Sequence, residues 1–254
     1  MALLQVNYYS DILKRNVPLA VVLPVDRCYE EKEYRQFKTL YLLHGLTDNC
    51  MDWILNTRIR KWAEEKKIAV VCPSGDNSFY VNQMTPNNDY SEYIGRELVE
   101  ITRKMFPLSC KREDTYIAGN SMGGYGAIIN GLKYADTFGR VIGFSSALHM
   151  FEEPAEMIEN ELYGALKVYG NLKEAAKTDV NPKVTLDNLL ARGDAIPGIY
   201  LCCGIQDGLL ESNQIFRDYC KEKNVEICYK ETDGEHSWEY WDEQLLKVFE
   251  WLGL

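Results

Sequence analysis

Residues Thr115 to Gly126 (Thr-Tyr-Ile-Ala-Gly-Asn-Ser-Met-Gly-Gly-Tyr-Gly) constrain this chain more than any other stretch. Thr115 to Ala118 is a short apolar, β-prone run, and Gly119 to Gly123 fits G-x-S-x-G around Ser121. Ala127, Ile128, Gly131 and Leu132 follow at helical spacing. A strand, a sharp turn carrying a serine and a helix form a nucleophile elbow. The turn forces Ser121 into strained backbone angles, and a side chain at Gly119 or Gly123 would collide with the neighbouring strand or helix. The hydroxyl then stands at the positive end of a helix, where an oxyanion is stabilised. At about 7% each of glycine and serine, a random chain of this length shows the pattern about one time in ten. The remaining parts of a site must therefore be found independently.

The 254 residues are 46% hydrophobic, with a mean hydropathy of −0.31. That suits a single domain over 1–254 with a large core. The net charge of −10 makes nucleic acid and anionic membrane poor partners. No run approaches the length of a membrane span, and the N-terminus lacks the basic and apolar regions of a signal peptide. Of the eight cysteines (Cys28, Cys50, Cys72, Cys110, Cys202, Cys203, Cys220 and Cys228), several sit in apolar runs and none shows C-x-x-C spacing. They are expected to be reduced core residues of a cytoplasmic protein, rather than disulfides or a zinc site.

In chain order, strands are expected over Leu3–Tyr9, Val17–Leu23, Phe37–Leu43, Ile68–Cys72, Thr115–Ala118, Val141–Phe144, Ile199–Cys203 and Val225–Tyr229. Cys28 to Gln36 is charged and expected to turn. Arg58–Lys67 reads as an exposed helix, and Ile94, Leu98, Ile101 and Met105 step at helical spacing. Trp238, Trp241, Leu245, Val248 and Leu252 mark a final helix. Strands alternating with helices predict an α/β fold, a mainly parallel eight-stranded sheet flanked by helices, with the two N-terminal strands as an antiparallel edge. The stretch 147–195 shows helical signals and no strand signal, and is expected to be a small helical, cap-like insert.

A serine nucleophile needs a base, and the base needs a partner that fixes its tautomer. Three histidines exist: His44, His149 and His236. His236 follows the last strand, at the carboxyl edge where sites in such sheets lie. His149 could line the site, and His44 precedes the serine and belongs to a different device. For the acid, Asp207 follows the preceding strand, whereas Asp194 precedes it and Asp218 is inside a helix. Asp233 shares a loop with His236 and remains the rival. Two backbone donors are needed for an oxyanion. Met122, directly after the serine, supplies one; Leu46, after His44-Gly45, is the candidate for the second, with Gly45 giving the backbone room.

The sequences Tyr41-Leu-Leu-His-Gly45, Gly119-Asn-Ser-Met-Gly-Gly-Tyr-Gly-Ala127, Gly204-Ile-Gln-Asp207 and Gly234-Glu-His-Ser-Trp-Glu-Tyr-Trp241 together resemble the esterase D-like branch of the α/β-hydrolases. That branch includes tributyrin, feruloyl and acetyl esterases and S-formylglutathione hydrolase. The resemblance extends over nearly the whole chain. It implies an α/β-hydrolase fold, a Ser121–Asp207–His236 triad and oxyanion donors at Leu46 and Met122. Asn77 to Tyr80 resembles the family's loop beside the pocket, and His236-x-Trp238-x-x-Trp241 resembles the ending of the tributyrin and feruloyl esterases. Asn120 departs from the His, Leu or Glu often found before the serine.

The expected activity is that of a serine carboxylesterase, without cofactor or metal, acting on small acyl or aryl esters. Gly45, Asn77, Phe79, Tyr80 and Trp238 are the candidate substrate contacts. A small-molecule ester is the expected partner, and a homo-oligomer, most simply a dimer, the expected assembly. An S-formylglutathione hydrolase-like thioesterase, an acyltransferase and a catalytically silent binding protein are the rival readings. The aromatics Phe79, Tyr80, Phe151 and Tyr163 either face a flat or short acyl group beneath the insert or fill the core under it; the sequence leaves both open.

Overall fold

The computed structural model describes residues 1–25, 36–152 and 168–254. The strands are β1 (Ala2–Ser10), β2 (Arg15–Leu23), β3 (Thr39–Leu43), β4 (Ala69–Pro73), β5 (Thr115–Asn120), β6 (Arg140–Phe144), β7 (Gly198–Gly204) and β8 (Ile227–Thr232). They form one eight-stranded sheet in the order β1-β2-β4-β3-β5-β6-β7-β8. β1 pairs with β2 and β2 with β4 antiparallel, and every pairing from β4 to β8 is parallel. The α/β architecture and its antiparallel edge are as the sequence predicts.

The near-continuous apolar strands are explained by burial on both faces. Along β3, Tyr41 and Leu43 point into one core layer while Leu40 and Leu42 point into the other. The first layer is covered by the helical segment 90–105, the elbow helix Met122–Lys133, and the helices Pro182–Arg192 and Leu210–Glu222. The second lies under the helices Asp52–Asn56, Ile59–Glu65 and Trp238–Trp251, and contains Trp53, Trp62, Trp241 and Phe249.

Three local expectations are corrected. The helix Ile59–Glu65 is not simply exposed, because Ile59, Trp62 and Ala63 form a buried stripe at three- and four-residue spacing. In the 90–105 segment a π-helical turn at Tyr93–Glu97 shifts the phase of the helix. Ile94, Leu98, Val99 and Thr102 are consequently buried, while Met105 is 41% exposed. β8 runs two to three residues later than the Val225–Tyr229 expected, since Val225 is used in the turn, where its N–H donates to the Cys220 carbonyl. Among the cysteines, Cys110 is exposed and Cys228 half-buried rather than core, and Cys28 lies outside the described residues.

The described part of the insert packs against the elbow helix. Asn181 caps the helix Pro182–Arg192 by accepting from the Lys183 N–H, and Pro182 occupies its first turn, where a missing N–H costs nothing. The hydroxyl of Tyr125 on the elbow helix donates to the Val180 carbonyl. Tyr169 contacts Phe79 and Phe151 with ring centroids 5.6 and 5.5 Å apart. The middle of the expected cap, residues 153–167 with Tyr163, and most of the expected turn at Cys28–Gln36 lie outside the described residues.

Candidate active site

Ser121 sits between β5 and the elbow helix at φ 54° and ψ −117°, a conformation that L-residues avoid. Three backbone hydrogen bonds hold it there. Its N–H donates to the Phe144 carbonyl at 2.9 Å, and its carbonyl accepts from Tyr125 and Ala147 at 3.1 and 3.0 Å. The two motif glycines have no room for side chains. A Cβ at Gly119 would lie 2.4 Å from the Gly123 carbonyl, and one at Gly123 would lie 2.4 Å from the Leu43 carbonyl oxygen. The tight crossing of helix over strand explains the motif sterically.

Asp207 and His236 are brought together by cross-linked loops. The Gln206 N–H donates to the Gly234 carbonyl at 3.1 Å, and the Gly234 N–H donates to Gln206 Oε1 at 2.8 Å. His236 Nδ1 is 2.9 Å from Asp207 Oδ2. An ionised carboxylate only accepts, so Nδ1 carries the proton and Nε2 is left as the free base. The Asp207 side chain is 1% exposed and that of His236 37%. Burial alone would raise the Asp207 carboxyl. The hydrogen bonds from His236 and the Leu209 N–H, with the influence of the Ser145 hydroxyl added to them, outweigh it and hold the carboxyl below its ordinary value. The rival Asp233 is exposed and makes no hydrogen bond to His236. No hydrogen bond joins Ser121 to His236 either; nucleophile and base often close to that distance only around substrate.

A cavity of about 430 Å³ is lined by Leu46, Phe79, Ser121, Met122, Ala147, His149, Asp207, Gly208, Leu209 and His236. Both expected oxyanion donors border it, and neither the Leu46 nor the Met122 N–H has an acceptor among the described residues. Of the five candidate substrate contacts, only Phe79 is in this lining. Tyr80 is fully buried behind it, its hydroxyl donating 3.0 Å to the His44 carbonyl. Asn77 accepts at 2.8 Å from the Thr47 N–H and so braces the loop that carries Leu46. Trp238 packs edge-on against Trp53 and Trp241, with centroids 5.1 and 5.0 Å away. Gly45 lies beside the serine: a Cβ there would be 3.6 Å from Ser121 Cβ.

His44 has a role that spacing did not reveal. Its Nδ1 lies 2.7 Å from the Gly45 carbonyl, and its Nε2 accepts from the Gly75 N–H at 2.8 Å. One nitrogen must donate and the other accept, so the ring is neutral. Ala147, Gly208 and Leu209 also line the cavity without any sequence signal, whereas the expectation that His149 could line it holds.

Comparisons with known proteins give the family of the chain. The Esterase family model matches residues 10–252. An acetyl esterase of Caldicellulosiruptor saccharolyticus is 36% identical over 99% of this chain and 98% of its own. Among solved structures, the chain is similar to the fluorophosphonate-binding serine hydrolase FphF of Staphylococcus aureus, with a TM-score of 0.90 and 32% identity over 99% and 98% of the two chains. It is also similar to the S-formylglutathione hydrolase FrmB of Staphylococcus aureus, with a TM-score of 0.88 and 32% identity over the same shares. The chain belongs to the Esterase family and is an ester hydrolase of the α/β-hydrolase fold.

Proposed function

We propose that this esterase is a serine carboxylesterase acting on small acyl or aryl esters. His236 Nε2 takes the Ser121 proton as Oγ attacks the ester carbonyl. The N–H groups of Leu46 and Met122 receive the tetrahedral oxyanion. The imidazolium then protonates the departing alcohol, and water, activated by the same base, releases the acid from Ser121. The observation that carries this reading is the 2.9 Å His236–Asp207 contact, opening on the cavity that Ser121 borders.

The cavity supports the substrate size. About 430 Å³ is near the lower end of ordinary small-molecule sites. The wall formed by Phe79, Met122 and Leu209 suits acetyl to butyryl groups, and a cinnamoyl group if it lies flat. The similarity to an acetyl esterase supports the short acyl preference. Similarity to a solved S-formylglutathione hydrolase favours a second reading, the same machinery turned on a thioester. The cysteine usage, with no C-x-x-C spacing among the eight, supports a cytoplasmic location.

The test is a comparison of kcat/KM for p-nitrophenyl acetate, butyrate and palmitate, methyl ferulate and S-formylglutathione. Acetate or butyrate should lead. S-formylglutathione leading by tenfold or more would transfer the assignment to the thioester, and palmitate at or above butyrate would refute the small pocket. A phosphonate ester should label Ser121; an adduct on any other residue would refute the mechanism.

A further inference from the structure

Behind the proposed triad, Trp241 touches two of the groups that set its geometry. Its ring meets the His236 imidazole edge to face, with centroids 4.9 Å apart and planes at 89°. Its indole nitrogen lies 3.1 Å from the hydroxyl of Ser145. Ser145 follows β6, is fully buried and is held at φ 45°, with its N–H donating to the Cys202 carbonyl at 2.8 Å.

The chemistry of the groups orients this hydroxyl. An indole N–H can only donate, so the Ser145 oxygen must be the acceptor. Its own hydrogen is then turned away from Trp241. The Asp207 carboxylate and the Cys203 thiol are both influenced by this hydroxyl. A carboxylate is much the better acceptor. Burial pushes the Cys203 thiol up to about 12, so Cys203 stays neutral and does not compete as an anion.

We propose that Ser145 and Trp241 are positioning residues for the esterase reaction. Trp241 fixes the Ser145 hydroxyl, the hydroxyl donates to Asp207, and Asp207 orients His236. Trp241 also presses on the imidazole directly, so one side chain controls both ends of the Asp207–His236 pair. The proposal rests on the reading of Asp207 and His236 as the acid and base. The other titratable groups around the pair are the Cys203 thiol, His149 in the cavity wall and Asp48, on the loop after β3, whose carboxyl is raised mainly by burial and then by Asp52.

The positive φ of Ser145 offers a way to separate hydroxyl from backbone. Ser145→Gly relieves the left-handed conformation and removes the hydroxyl; Ser145→Ala removes the hydroxyl alone. Trp241→Phe keeps an aromatic face for His236 and deletes only the N–H. A hydrogen bond to a charged group is worth roughly a factor of 10 to 100. Ser145→Ala and Ser145→Gly should each lower kcat on p-nitrophenyl acetate about tenfold or more, with KM within about twofold. Trp241→Phe should act in the same direction and less strongly.

The acidic limb of kcat/KM should move to higher pH in all three, because an Asp207 charge deprived of its donor binds the imidazolium more tightly. Ser145→Ala/Trp241→Phe should be no slower than Ser145→Ala, since the indole N–H acts through the hydroxyl. Asp207→Asn is measured alongside. If it is inactive while Ser145→Gly and Trp241→Phe match the parent in kcat and acidic limb, the positioning role is overturned and the triad stands. If Asp207→Asn keeps its activity, the triad reading falls and the proposal falls with it. Multiplying effects in the double variant, or an unmoved or lowered limb, also overturn the proposal. Should Ser145→Ala fail to fold, Trp241→Phe decides the question by the same two readouts.

Discussion

The backbone N–H of Gly75 donates to Nε2 of His44 across a 2.8 Å hydrogen bond, tying the loop after β4 to the loop after β3. That bond requires a neutral imidazole. Through it the Leu46 N–H, two residues beyond His44, is held at the cavity against the rest of the sheet.

A pH effect on stability follows from His44. Burial pushes its titration below the ordinary histidine range, although the Gly45 carbonyl, Asp52 and Asp76 pull the other way. The unfolded chain therefore binds more protons than the folded one. The contribution of His44 is complete above about pH 6.5 and is lost as pH falls through that value toward the folded one. Thermal melts of His44→Gln should depend less steeply on pH than those of the parent between about 6.5 and 5. Parallel curves over that range would disprove the buried neutral ring. The same variant should lower kcat about tenfold or more by loosening one oxyanion donor.

Ser121→Gly should abolish turnover and yet stabilise the protein. The serine is held at φ 54° and ψ −117°, where glycine is at ease and serine is strained by about 1 kcal/mol or more. The melting temperature should rise by about 2–4 °C for each kcal/mol relieved, while kcat falls by about 10^4 or more. A variant that melts below the parent would show that the strain is not there.

Asp207→Asn should cost about 10^4 in kcat, and Asp233→Asn almost nothing. Asp207 also leaves a stability signature. Its folded value is depressed, so its contribution is present above about pH 4 and is lost as pH falls through the folded value. Acid unfolding followed by circular dichroism should be shallower in Asp207→Asn than in the parent. A large kcat loss in Asp233→Asn instead would move the role to the exposed aspartate.

Phe79 is the side chain expected to set acyl length. It lines the cavity and packs edge-on against Tyr125 at 6.0 Å and at a tilt against Tyr169 at 5.6 Å. Phe79→Leu keeps an apolar wall and shortens it. The kcat/KM ratio of p-nitrophenyl hexanoate to butyrate should rise by about threefold or more, as one or two extra methylenes find space. An unchanged ratio would put the length limit elsewhere in the lining.

Much of this molecule is written locally. The strands show as apolar runs because both faces of the sheet are covered, and G-x-S-x-G around Ser121 specifies a turn that only glycine neighbours permit. The helix phase at Tyr93–Glu97 was not legible, because a π turn leaves no mark in a periodicity that assumes 3.6 residues per turn.

The chain order of serine, acid and histidine, and the residue types that could serve, are properties of the sequence itself. Only the tertiary structure shows which aspartate meets His236, since both lie near it in the chain or across the loops, and the 2.9 Å contact belongs to the buried Asp207. It likewise withdraws Tyr80 and Trp238 from the cavity and gives them structural packing, and it brings Ser145 and Trp241 together across 96 residues. Sequence patterns encode which face of an element is apolar. Which polar atoms meet depends on loops that close only when the sheet and its helices have packed, and no local spacing records that distance.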